Sequence, residues 1–188
     1  MTGFATAWIP RWIVAGSLLR EIAEPPRDES EDVVEEPFED RTGAPVRGTL
    51  FRPDARRPPY PALVLCHGAA EDGFEDERLV RLARALARRG FLVLAPDLED
   101  LRAFRVSERS VERIVAAHGA LLARRDLVRA DRAAFAGISF AGTLCLLAAR
   151  EPAIRERVPA VLSFGGYRDL EGLVRYWLTT APEPPPGV

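Results

Sequence analysis

The chain has 188 residues, is 47% hydrophobic and 29% charged, and carries a formal net charge of −2. That is the balance of one globular domain with a real core. Arginines scattered among acids, with no basic patch, exclude a nucleic-acid partner. All 26 basic residues are arginine, and lysine, asparagine and glutamine are absent. Side-chain amides are therefore unavailable, so an oxyanion hole in this chain has to rest mainly on backbone N–H groups.

Residues 1–23 include "FATAWIPRWIVAGSLLREIA", in which Trp8, Ile9, Trp12, Ile13, Val14, Leu18 and Ile22 recur at helical spacing. The uncharged run from Trp12 to Leu19 is too short to span a bilayer, which needs about 20 apolar residues, and no basic region precedes it. The pattern predicts an amphipathic helix, either packed on the domain or touching a membrane surface through its tryptophans. Residues 24–45 form an acidic, proline-bearing linker with a possible first strand at Val33-Val34.

From residue 46 to 178 the elements alternate. "VRGTLF" (Val46 to Phe51) reads as a strand, and "ALVLC" (Ala62 to Cys66) is a continuous apolar run of the kind that forms a buried parallel strand. Leu79, Leu82, Ala83 and Leu86 mark one helix face, Arg78, Arg81, Arg84 and Arg88 the other, and Gly90 closes that helix. "FLVLA" (Phe91 to Ala95) is a second buried strand, ended by Pro96. Val111, Ile114, Val115, His118 and Leu122 stripe a long helix. "RAAFA" (Arg132 to Ala136) is a third buried strand, Ser139 to Arg150 a helix, and "AVLSF" (Ala160 to Phe164) a fourth. The alternation predicts an α/β fold with a mostly parallel, doubly wound sheet and helices on both faces. Residues 179–188 are a proline-rich tail. Cys66 and Cys145 fall in apolar patterns and read as buried free thiols of a reducing, cytoplasmic compartment, the alternative being a disulfide.

Ser139 lies where a buried strand meets a helix, with Gly137 two residues before it and Ala141 and Gly142 after. Small neighbours are what a sharp strand-to-helix turn requires, and such a turn lifts a hydroxyl clear of the sheet. The helix amino terminus, with the Phe140 N–H, then faces the same space and can stabilise a developing oxyanion. A second motif, "LVLCHGAAEDG", ends a buried strand in His67-Gly68.

Together with "GISFAG" and "FLVLAPDL", this motif resembles the α/β-hydrolase family, in particular its dienelactone-hydrolase-like branch, over roughly Val46 to Tyr167. The resemblance implies Ser139 as nucleophile, Ala69 and Phe140 N–H as the oxyanion hole, and a loop-shaping role for His67. It also implies a small-molecule ester or acyl substrate, with no cofactor and no metal. Ala141 stands where the family more often has glycine.

In that family an acid and then a histidine follow the serine. Here both histidines precede it, and His118, on an apolar stripe, reads as a structural residue. Asp169 occupies a position some hydrolases use for the acid, but it also reads as the cap of "YRDLEGLVRYWL". Asp97 matches a family position outside the triad. Asp72, Glu75, Asp76 and Glu77 form an acidic cluster that reads as a solvated loop and helix start instead of a metal site. The expectation is a serine hydrolase cut short before its acid and base and impaired as it stands. The alternatives are a non-catalytic α/β-hydrolase-like module that binds a small molecule or partner, and a membrane-surface protein.

Overall fold

The computed structural model describes residues 33–40, 45–54 and 57–167, together with Arg20, Ala23, Asp169, Glu171, Gly172, Arg175 and Thr179. Apart from those single positions, the expected amino-terminal helix, the first part of the acidic linker and the proline-rich tail lie outside the described residues.

Among the described residues, six strands form one sheet: β1 (Val33–Asp40), β2 (Val46–Pro53), β3 (Tyr60–Cys66), β4 (Leu92–Pro96), β5 (Val128–Ile138) and β6 (Val161–Phe164), in the order β1-β2-β4-β3-β5-β6. β4, β3, β5 and β6 run parallel, whereas β1 and β2 pair antiparallel. Among the described residues, four α-helices connect them: α1 (Glu77–Arg88), the single turn α2 (Glu99–Arg102), α3 (Glu108–Ala123) and α4 (Phe140–Ala148). α1 packs on β1, β2 and β4, while α3 and α4 cover β3, β5 and β6 from the other face. The chain leaves β3 toward α1 and leaves β5 toward α4, on opposite faces. The carboxyl ends of β3 and β5 are therefore the topological switch point of the sheet, where open α/β sheets place their ligands.

The apolar runs behave as their composition requires. β4 is buried at every residue, and β3 at all but Pro61. One core, including Leu50, Val64, Leu94, Ile114, Leu121, Phe135 and Leu144, lies under α3 and α4. A second, including Phe51, Leu65, Leu79 and Val93, lies under α1. Cys66 and Cys145 are buried free thiols. A hydrogen bond to Cys145, reinforced by burial, pushes the Cys66 thiol up, which marks where α4 docks on β3.

α1 is closed as its glycine foretells. The Gly90 N–H reaches the Ala87 carbonyl at 2.8 Å and the Phe91 N–H reaches that of Leu86 at 3.2 Å, with Gly90 at φ 97°. This is the paired-bond termination that a left-handed residue permits. Four strands exceed their expected bounds: β2 runs on to Pro53, β3 begins at Tyr60, and β1 and β5 depart further. β1 takes eight residues of the stretch expected to be linker, its Glu35 paired with Arg84 of α1 and its Glu36 with Arg52 of β2. β5 starts at Val128, and positive φ at Ala130 and Asp131 accompanies a register shift against β3. Pro96 is the last residue of β4. α4 begins at Phe140, with Ser139 as its capping residue.

Candidate active site

Ser139 ends β5 and begins α4 at φ 55° and ψ −126°, a backbone region that non-glycine residues rarely enter. The surroundings hold it there. Its N–H donates to the Phe164 carbonyl at the end of β6 (2.7 Å), and its own carbonyl accepts from Gly142 N–H (2.9 Å). The Thr143 hydroxyl bonds both the N–H and the carbonyl of Tyr167, tying the segment after β6 to α4. Gly137 has no room for a side chain, because a Cβ would fall on the backbone of Ala141. Ala141 is itself fully buried, so a methyl group at that position is accommodated. The Phe140 ring leans on Tyr167, with centroids 5.4 Å apart.

The turn after β3 closes on this serine. A Cβ built on Gly68 would lie 3.1 Å from both the Ile138 carbonyl oxygen and the Ser139 Cβ, so a side chain there would push the loop away from the serine by a few tenths of an ångström. Among the described residues, neither the Ala69 N–H nor the Phe140 N–H takes part in the turn and loop hydrogen bonds. Two motifs 70 residues apart in the chain thus meet at one point, at the carboxyl ends of adjacent strands.

His67 and His118 are both buried; His67 is hydrogen-bonded at both ring nitrogens, whereas the His118 Nδ1 has no hydrogen-bond partner among the described residues. The His67 Nε2 accepts the Leu98 N–H at 3.0 Å, so the ring proton lies on Nδ1, which donates to the Gly68 carbonyl at 2.7 Å. Burial lowers the His67 pKa, against the opposing pull of the Gly68 carbonyl and Asp97. His118 Nε2 donates to the Ala133 carbonyl (3.1 Å), and its ring packs on Phe135. Burial lowers its pKa too. Ala133 sits six residues before Ser139 on β5, about 20 Å away at the rise of a strand. A base has to come within about 3 Å of the proton it takes, directly or through one water.

Asp97, at the end of β4, is held between Arg47 (3.1 Å) and Arg102 (3.2 Å); the second contact is an ion pair without hydrogen-bond alignment. Asp169 accepts the Gly172 N–H at 2.9 Å, as a helix cap does. In the acidic cluster, Asp76 caps α1 through the Arg78 N–H and Glu77 pairs with Arg81. Sequence reasoning missed two partners: Leu98 for the His67 ring and the Phe164 carbonyl for Ser139. Both are backbone groups, which no residue identity signals.

A mostly parallel sheet in this strand order, with a serine on the turn after β5 and a glycine loop against it, is an α/β-hydrolase fold. The chain is similar to a dienelactone hydrolase-like promiscuous phosphotriesterase from metagenomic libraries, at 25% identity and a TM-score of 0.59, over 75% of this chain and 63% of that one. It is similar to a dienelactone hydrolase from Anabaena variabilis at 24% identity and a TM-score of 0.57, over 72% and 65%. Brefeldin A esterase, a bacterial homologue of human hormone-sensitive lipase, aligns over 87% of this chain and 50% of its own at 19% identity and a TM-score of 0.60. This protein has the α/β-hydrolase fold, is similar to dienelactone-hydrolase-like structures among others, and spans 50–65% of the length of these three structures. No family model and no curated protein matches the chain. Among the described residues, no helix is long and apolar enough to cross a membrane.

Proposed function

We propose that this chain carries the nucleophile and the oxyanion hole of a serine hydrolase acting on a carboxylic ester or a related acyl bond. Ser139 Oγ attacks the carbonyl carbon, and the carbonyl electron pair moves onto oxygen, where the Ala69 and Phe140 N–H groups receive it. Collapse expels the alkoxide, which takes up the proton that the serine lost. The reading rests on one observation above the others. Ser139 is held at φ 55° with Gly68 packed against its Cβ, a strained arrangement with no value to the core. The esterase and hydrolase names of the similar structures support the reaction class.

Among the described residues the proton has no histidine to accept it, because both ring nitrogens of His67 are hydrogen-bonded and His118 lies beside Ala133, six residues before Ser139 on β5. That favours a second reading, a module of this fold that binds a small molecule without turnover. Losing the histidine of a serine-protease triad costs about a millionfold in turnover. The chain alone is therefore expected to hydrolyse p-nitrophenyl acetate barely above background, with Ser139→Ala changing little. Free imidazole, added as a diffusible base, should accelerate acetylation of Ser139, read by intact mass, and leave Ser139→Ala unmodified. Strong Ser139-dependent turnover without imidazole would make His67 or His118 the base. No acetylation of a folded chain in imidazole would sink the nucleophile reading and leave the binding module.

A further inference from the structure

β3 ends in Cys66, and α4 carries Cys145 six residues after Ser139. The fold brings these two thiols together. In the ladder between β3 and β5, Cys66 stands beside Gly137. A side chain at Gly137 would fall on the Ala141 backbone, so its absence lets the first turn of α4 rest directly on the sheet. Ala141, Cys145 and Ala148 are fully buried at helical spacing, so they form the stripe of α4 that faces the sheet. Cys145 follows Ala141 on that stripe by one turn. It meets the strand next to Gly137, where the two thiols hydrogen-bond to each other inside one apolar core. An apolar pair would fill the same space; what a facing pair of thiols adds is the capacity to join.

We propose that Cys66 and Cys145 are a latent cross-link: under a peroxide they close into a disulfide that ties the end of β3, with its Gly68 loop, to the helix that begins at Ser139. The peroxide first transfers one oxygen to a thiol, giving a sulfenic acid and water. The second thiol then attacks that sulfur, the S–S bond forms, and the oxygen leaves as a second water. The peroxide takes both electrons, and a thiol reductant returns them. The cross-link is independent of whether Ser139 is a nucleophile.

The folded interior sets the pace of closure. Neither cysteine is exposed to solvent, and the thiolate, not the thiol, is the reactive form. Oxidation therefore waits for a local opening. The β6 side of α4 is where the fold opens most easily, because Leu146 and Leu147 of α4 and Leu162 and Phe164 of β6 are all exposed. Weakly covered edges open at a fraction of the free energy that unfolds a core. Cys145, on α4, is uncovered first, and Cys66 meets it when the helix settles back. In a reducing compartment such a bond is transient, a record of oxidant and not a permanent staple.

The experiment treats the folded 188-residue chain with hydrogen peroxide and follows it by intact mass and by peptide mapping without reductant. The expected product is monomeric and lighter by two hydrogens, with the peptides of Cys66 and Cys145 joined until dithiothreitol parts them. Its Tm should rise by about 5–10 °C, because the bond closes a long loop of the unfolded chain, and dithiothreitol should remove the gain. Cys66→Ala and Cys145→Ala should fold and show no such gain in peroxide. Thr143→Val removes the tether between α4 and Tyr167, so it should loosen the edge and close the bond severalfold faster. Several results would each overturn the proposal. They are sulfinic acid on either cysteine without a cross-link, a bond between two chains, a cross-linked chain whose Tm falls, and thiols that stay reduced in both the wild type and Thr143→Val.

Discussion

The two ends of the sheet are held by different physics. At the β1 end, Val33 and Phe38 are 7% and 6% exposed, and α1 covers one face. At the β6 end, Leu162 and Phe164 are 46% and 52% exposed, and among the described residues the strand pairs with β5 alone. What fixes β6 is polar: its terminal carbonyl takes the Ser139 N–H, and the Thr143 hydroxyl binds both polar groups of Tyr167. The β1 end serves stability, whereas the β6 end serves the geometry of the serine.

That contrast can be tested by truncating one phenylalanine at each end. Phe38→Ala should cost about 3–5 kcal/mol, the range for a buried aromatic, whereas Phe164→Ala should stay within about 0.5 kcal/mol, as exposed positions do. Urea unfolding of both variants measures the difference, and equal losses would erase the comparison.

Gly137 carries the next largest effect. Gly137→Ala drives a methyl group onto the Ala141 backbone and should cost about 1–3 kcal/mol, as overpacking does. Ser139→Gly should act in the opposite direction. It removes the penalty of a left-handed serine and should stabilise by about 1 kcal/mol, raising Tm by about 2–4 °C for a domain of this size. A Tm that falls would show that the serine side chain itself contributes to the fold.

The smallest effect is expected with pH. His67 and His118 both have pKa values lowered by burial. The unfolded chain therefore binds protons first as pH falls below about 6.5. Stability contributed by the neutral rings is complete above that value and is lost as pH falls through the two lowered values. Urea midpoints compared at about pH 7.5 and about pH 5.5 should decrease on the acid side, and a variant with both histidines replaced by Phe should flatten the change.

The core strands were legible because burial on both faces leaves an unbroken apolar run, as in "ALVLC" and "FLVLA". β1 was legible only at Val33-Val34, because its outward residues are acids whose partners are remote: Glu35 with Arg84 and Glu36 with Arg52. Charge pairing across elements leaves no periodic trace. The turn at Ser139 was legible because the steric demand falls on neighbours in the chain, Gly137 and Ala141. The meeting of Gly68 with Ser139 followed only from family resemblance, since 71 positions separate them. The tautomer of His67 was invisible, because it depends on a backbone N–H 31 residues away.

The bond from Ser139 to Phe164 has a mechanical side. The serine's strained backbone is clamped from β6, a strand of four residues that has one neighbour among the described residues. Edge segments open locally at a fraction of the free energy that melts a core. When β6 peels away, the clamp goes with it, and the left-handed turn can relax toward an ordinary helix start. The strained turn at Ser139 is thus shorter-lived than the fold that carries it, and whatever steadies that edge sets the fraction of molecules that hold it.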